Sequence, residues 1–166
     1  MTTAEKYTRL GFTLLLGFWG FRFINDPEPM NSILHAIILP IHETGHFVFM
    51  AFGQYMHAAG GSIFQIIFPI AFIVHFWRRG DRHAATVPLW FVGIAAIDLV
   101  PYIKDAHSGD LELIGGEHDW SHLLSEIGKV HLDQEIGDAV KVFGTLVILA
   151  SVILGVLWHN YEHKEH

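Results

Sequence analysis

The chain has no cysteine. That excludes disulfides, thiolate metal ligands and thiol catalysis, so any metal must be held by His, carboxylate and water. Charge is also scarce. Only 16% of the 166 residues are Asp, Glu, Lys or Arg, where a soluble domain carries about a quarter. The formal net charge of −7 argues against nucleic acid as a partner. There is no internal repeat. The first apolar run has Arg22 at its far end and no small-residue cleavage site after it, so it does not read as a signal peptide.

What fills the chain instead is apolar sequence in long runs. Half of the residues are hydrophobic, and short polar breaks separate the runs. This predicts one all-α domain over 1–166: a polytopic membrane helix bundle with four to five transmembrane segments. The expected segments are Leu10 to Ile24, Asn31 to about His57, Ile63 to Trp77, Ala84 to Ile103 and Ala139 to Trp158. Gly60-Gly61-Ser62 is expected to break the second from the third. Pro69 leaves the third open between a short helix and an extended piece followed by a helix. One polar surface loop is expected at 105–138. Within it Gly115-Gly116 and Glu117-His118-Asp119 predict a turn into a short amphipathic helix from Asp119 to Ile127. The expected home is the bacterial inner (plasma) membrane. Basic residues divide five against five between the two sides. The Arg78–Arg82 cluster lies in a short loop, where positive charge best marks the inside, and favours an external N-terminus.

The chemistry lies in the second segment. His42-Glu43-Thr44-Gly45-His46 is an H-E-x-x-H pattern. On a helix the two imidazoles project from one face and can share a metal ion, with Glu43 placed as general base. With 13 His in the chain, the pattern arises by chance in roughly one shuffled sequence in twenty. Its setting adds weight, because ionisable groups in apolar helices are costly unless paired, ligated or hydrated. His35, His42, His46, Gly53 and His57 also fall on one stripe of a continuous helix, near the middle of a span. The competing reading is that these His hydrogen-bond between packed helices.

Two His do not complete a catalytic zinc site, which usually has three protein ligands. The third must come from another segment. Asp98 and Asp105 lie seven residues apart, on one face if the helix continues through Pro101. His118, Asp119 and His122 form a second cluster. Asp105 also reads as a solvated loop acid, and His118-Asp119 as a capping turn. His159 and His163 in the tail have ligand spacing but read as solvated.

These motifs resemble the site-2-protease type of intramembrane zinc metallopeptidase. That family carries H-E-x-G-H in a membrane helix, matched by His42 to His46 with Gly45. A later helix brings N-x-x-P followed by Asp-Gly. Asp98-Leu99-Val100-Pro101 and then Asp105-Ala106 are similar, with Asp for Asn, Ala for Gly and a gap one residue shorter. The resemblance covers about 31–106. It implies a zinc-dependent metallopeptidase with Glu43 as base and His42, His46 and Asp105 as zinc ligands. His118 is the other candidate third ligand. A membrane-embedded peptide or a lipid-linked molecule would be the substrate. The alternative from another class is a non-catalytic metal carrier or sensor.

Overall fold

A computed structural model describes residues 2–111 and 118–160. Among these residues there are six α-helices and no strand. They are α1 (Thr3–Ile24), α2 (Ile33–Phe49), α3 (Gln54–Arg78), α4 (Arg82–Lys104), α5 (Asp119–Glu126) and α6 (Asp133–Trp158). Four segments are long and apolar enough to cross a bilayer: Ile33–Phe52, Gln54–Arg78, Arg82–Lys104 and Val130–Trp158. The chain is therefore built as an integral membrane protein. α1 is not among the four. Between Arg9 and Arg22 it has only twelve uncharged residues, about 18 Å of helix against a hydrocarbon core of about 30 Å.

α4 is the axis of the bundle. Of its apolar window 72% is buried, against 22%, 28% and 22% for the other three spans. Trp90, Ile94 and Ile97 of α4 form the core with Phe23 of α1, Leu34 and Ile38 of α2 and Ile148 of α6. The outward faces keep large apolar side chains exposed, among them Phe47, Ile67, Leu146 and Ile153, as a lipid-facing surface requires. Between helices the seams are made of small residues. Gly93 of α4 meets Gly144 of α6, and Gly45 of α2 meets Gly60 of α3. Lipid solvates apolar side chains as well as a neighbouring helix does, so close backbone packing takes over as the glue.

Several ends follow from local chemistry. Thr2 and Glu5 form a capping box at α1. Ser32 caps α2 by accepting from His35 N–H at 3.1 Å. α6 begins at Asp133, six residues before the expected Ala139, so the polar connection is shorter than 105–138. Asp133 and Glu135 stand in its first turn, where the helix dipole favours negative charge, and Asp138 pairs with Lys104 across to α4.

The largest departure concerns the helix that carries H-E-x-x-H. It ends at Phe49, and a 3₁₀ turn over Met50–Phe52 leads to Gly53 at φ +94. Only glycine takes that backbone conformation readily. Gly60-Gly61-Ser62 therefore does not break a helix; it lies inside α3, which runs unbroken through Pro69. Glycine costs about 1 kcal/mol in a helix interior. Here it is offset by contact, since Gly60 sits on the Gly45 backbone and Gly61 on the His42 ring. His57 consequently belongs to α3. The motif keeps its expected place along the span: His42 stands at the middle of Ile33–Phe52, and His46 one helical turn, about 6 Å of rise, nearer its end.

Candidate metal centre

α2 and α3 form a hairpin, so the H-E-x-x-H face of α2 packs on the first half of α3. The His42 and His46 rings stand 4.9 Å apart, edge to face. Each is anchored through Nδ1. His42 Nδ1–H donates to Gln65 Oε1 at 2.8 Å, and His46 Nδ1–H donates to the His57 carbonyl at 2.8 Å. With Nδ1 carrying the proton, each neutral ring presents the lone pair of Nε2.

Both Nε2 atoms face one carboxylate. Asp119 Oδ2 lies 3.3 Å from His46 Nε2 and 3.6 Å from His42 Nε2. Asp119 is the first residue of α5, which closes over the end of the α2–α3 hairpin. The helix is fixed there by several bonds. Trp120 Nε1–H donates to Ser62 Oγ of α3 at 3.1 Å, and Leu123 and Leu124 are buried. Tyr102 of α4 holds Asp119 twice: its hydroxyl donates to Oδ2 at 3.1 Å and accepts from the Asp119 N–H at 2.8 Å. Burial pushes the Asp119 carboxyl up, but hydrogen bonds from His42 and His46, when their Nε2 atoms carry protons, and from Tyr102 outweigh it and hold it well below the ordinary carboxylate range.

A lone pair facing a carboxylate at these distances is repulsive. The arrangement needs a cation between the rings and the acid, either protons on Nε2 or one metal ion. His42, His46 and Asp119 could hold a metal ion, their ligand atoms all lying within 4.8 Å of one another. Tetrahedral coordination with bonds of ~2.1 Å places ligand atoms about 3.4 Å apart. The 3.3 and 3.6 Å separations fit it, as does the donor set of two imidazoles and one carboxylate.

Of the residues expected from sequence, His42 and His46 are brought together. Glu43 is half-buried beside them. Its carboxylate takes part in no hydrogen bond or ion pair among the described residues, yet lies near enough to His46 and Tyr102 for both to feel its charge. Asp105 and His118 are not in the ligand group. They pair with each other, His118 Nε2–H donating to Asp105 Oδ2 at 3.2 Å. Each is fully engaged. His118 Nδ1 accepts from Ser121 N–H as the cap of α5, which leaves no lone pair for a metal. Asp105 also accepts from Ser108 Oγ and from the Asp110 and Leu111 N–H groups. Burial raises the Asp105 carboxyl, and these bonds more than reverse it. The pair supports the site from behind, since the His118 ring stacks on Tyr102 at 4.5 Å. The expected Gly115-Gly116 turn and His163 lie outside the described residues.

Asp119, Gln65 and Tyr102 are the site residues that sequence reasoning did not select. Gln65 is an amide in apolar sequence, which signals a hydrogen-bonding role between membrane helices. Asp119 sits in a cluster that spacing does flag, but its position also fits a capping acid. Beside the ligand group is a cavity of ≈250 Å³ lined by Gln54, His57, Ala58, His118, Asp119 and His122. It lies at the end of the bundle where the α2–α3 turn and α5 meet. No family model, curated protein or solved structure matches the chain.

Proposed function

We propose that this protein is a zinc-dependent hydrolase of a plasma membrane, in a bacterium the inner one, and that it acts as a peptidase. One observation carries the reading. Both motif imidazoles are anchored through Nδ1 so that their Nε2 atoms converge with Asp119, and the Glu43 carboxylate, which has no hydrogen bond or ion pair among the described residues, is near enough for His46 and Tyr102 to feel its charge. A purely structural pair of His would not need a free carboxylate next to it in apolar surroundings. The resemblance to site-2-protease-type enzymes supports the same chemistry, with Asp119 taking the ligand role that the resemblance gives to Asp105.

When bound, a zinc ion at His42, His46 and Asp119 supplies Lewis-acid polarisation of the substrate carbonyl and lowers the pKa of water toward ~7. Glu43 accepts a proton from the attacking water. The water oxygen adds to the carbonyl carbon, the carbon–nitrogen bond breaks, and Glu43 passes its proton to the leaving amine. Tyr102 keeps Asp119 oriented throughout. The polar cavity at the turn end of the bundle gives water a way in, and a membrane-embedded peptide or a lipid-linked molecule would reach the site at the same level.

The His-lined cavity favours a second reading, a metal carrier or sensor without catalysis. Glu43 separates the two. Glu43→Gln should leave zinc content near one per chain and abolish peptide hydrolysis. Zinc content is read by elemental analysis and hydrolysis by cleavage of a panel of membrane peptides. Undiminished cleavage by Glu43→Gln would remove Glu43 as the base. Wild-type protein without zinc would remove the metal reading.

A further inference from the structure

Asp98 lies two hydrogen bonds away from His42, on the central helix, and is 5% exposed. It touches no ligand atom. A carboxylate at such depth is costly unless paired. Its partners are His35, whose Nδ1–H donates to Oδ1 at 2.9 Å, and Gln65, whose Nε2 donates to Oδ2 at 3.4 Å. Gln65 is itself 1% exposed, and its Nε2 also donates to the Ala95 carbonyl at 2.8 Å.

A glutamine amide has a donating and an accepting end, and rotation by half a turn exchanges them. As placed, Oε1 faces His42 and takes the Nδ1 proton. Rotated, the amide would present N–H to His42 Nδ1. The imidazole proton would then move to Nε2, and the lone pair needed for a metal would be gone. The far end of the amide decides between these states. It meets two oxygens that only accept, the Ala95 carbonyl and the Asp98 carboxylate. Rotation would set Oε1 against both.

We propose that Asp98 is a positioning residue of the metal centre: with the Ala95 carbonyl it locks the Gln65 amide, which fixes His42 with its proton on Nδ1 and its lone pair on Nε2. His35 keeps Asp98 an acceptor by donating to it. The inference extends the metal reading above, but the tautomer of His42 can be read without any metal.

The experiment uses the full chain in detergent or nanodiscs. ¹H–¹⁵N correlation of ¹⁵N-histidine protein, metal-free, reads the His42 tautomer. Titration with Zn²⁺ alone reads affinity. Wild type should show His42 protonated on Nδ1. Asp98→Asn keeps an oxygen for Gln65 and should preserve that state. Asp98→Leu and Gln65→Leu should mix the tautomers and weaken Zn²⁺ about 10- to 100-fold, the usual effect of losing an outer partner of a metal ligand. The double variant should bind no more weakly than Gln65→Leu alone, because Asp98 acts only through Gln65. Losses that multiply would overturn the proposal, as would Asp98→Leu with wild-type tautomer and affinity. Wild-type His42 with no proton on Nδ1, only Nε2 being protonated, would overturn it with no variant at all. Absence of Zn²⁺ binding by wild type would instead defeat the metal reading, and the tautomer measurement would still decide the role of Asp98.

Discussion

Gly61→Ala is a one-methyl perturbation that separates the site from the fold. A Cβ built at Gly61 falls 2.6 Å from His42 Cδ2 and 2.7 Å from Cε1, and closer still to Nε2. Ordinary contact begins at about 3.4 Å, so the ring, whose nearest atom is Nε2, must move by roughly 1 Å. The backbone does not block it, because the atoms in the way belong to the end of one side chain. Alanine also favours the helix by about 1 kcal/mol over glycine, which offsets part of a typical overpacking cost of ~1–3 kcal/mol. The fold should therefore survive with a small change in thermal midpoint. The site should not. A shift of ~1 Å exceeds the ±0.2 Å tolerance of metal–ligand bonds and strains the 2.8 Å bond from His42 to Gln65. We expect Zn²⁺ affinity to fall at least ~10-fold, or about 1.4 kcal/mol, with unchanged helical circular dichroism. Gly45→Ala is the control. Its Cβ would meet Phe64 Cβ at 2.6 Å and the Gly60 carbonyl carbon at 2.7 Å. That is backbone, which cannot swing aside, so α2 and α3 must part and stability must fall. Wild-type Zn²⁺ affinity in Gly61→Ala would refute the placement of His42 against α3.

Three further outcomes follow from the same geometry. Asp119→Ala should abolish tight Zn²⁺ binding, while Asp105→Ala and His118→Ala should weaken it only several-fold by loosening Tyr102; titration of all three ranks them, and a larger loss for Asp105 than for Asp119 would reverse the ligand assignment. Asp105 is held below its ordinary value of 3.8, so its ionised form stabilises the fold above about pH 4, and that stability is lost as pH falls through the lowered pKa. Thermal midpoints between pH 5 and 2 should drop more steeply in wild type than in Asp105→Asn, and parallel curves would count against it. Finally, the cysteine-free chain permits clean labelling: Phe52→Cys and Asp110→Cys should react from one side of the membrane and Arg79→Cys from the other, and labelling of 52 and 110 from opposite sides would break the proposed end of the bundle.

Signals that act within one or two helical turns were legible in the sequence. His42, Glu43 and His46 share a face because the helix period puts them there. Ser32 caps α2 as its residue type suggests, and α5 begins at Asp119 where the turn residues point. The missed features all depend on what a residue meets across the bundle. Gly60-Gly61 looks locally like a helix break, and Gly53 like one more position on a continuous helix. Their roles are the reverse because only Gly53 adopts positive φ, while Gly60 and Gly61 have α2 pressed against them. That error moved His57 onto the wrong helix. As a result the stripe His35–His57 is not one face of one helix: His35 turns to Asp98, and His57 offers a carbonyl to His46 across the hairpin. The candidate third ligand differs from the expected ones for a related reason. Asp105 and His118 have the right donor types, but each is saturated by neighbours close in sequence. Asp119 is left to face the imidazoles because α5 docks through Trp120 and Ser62, a contact that no local pattern announces. A ligand in such a site is thus set less by being His or Asp than by having a donor atom that nothing nearby has already claimed.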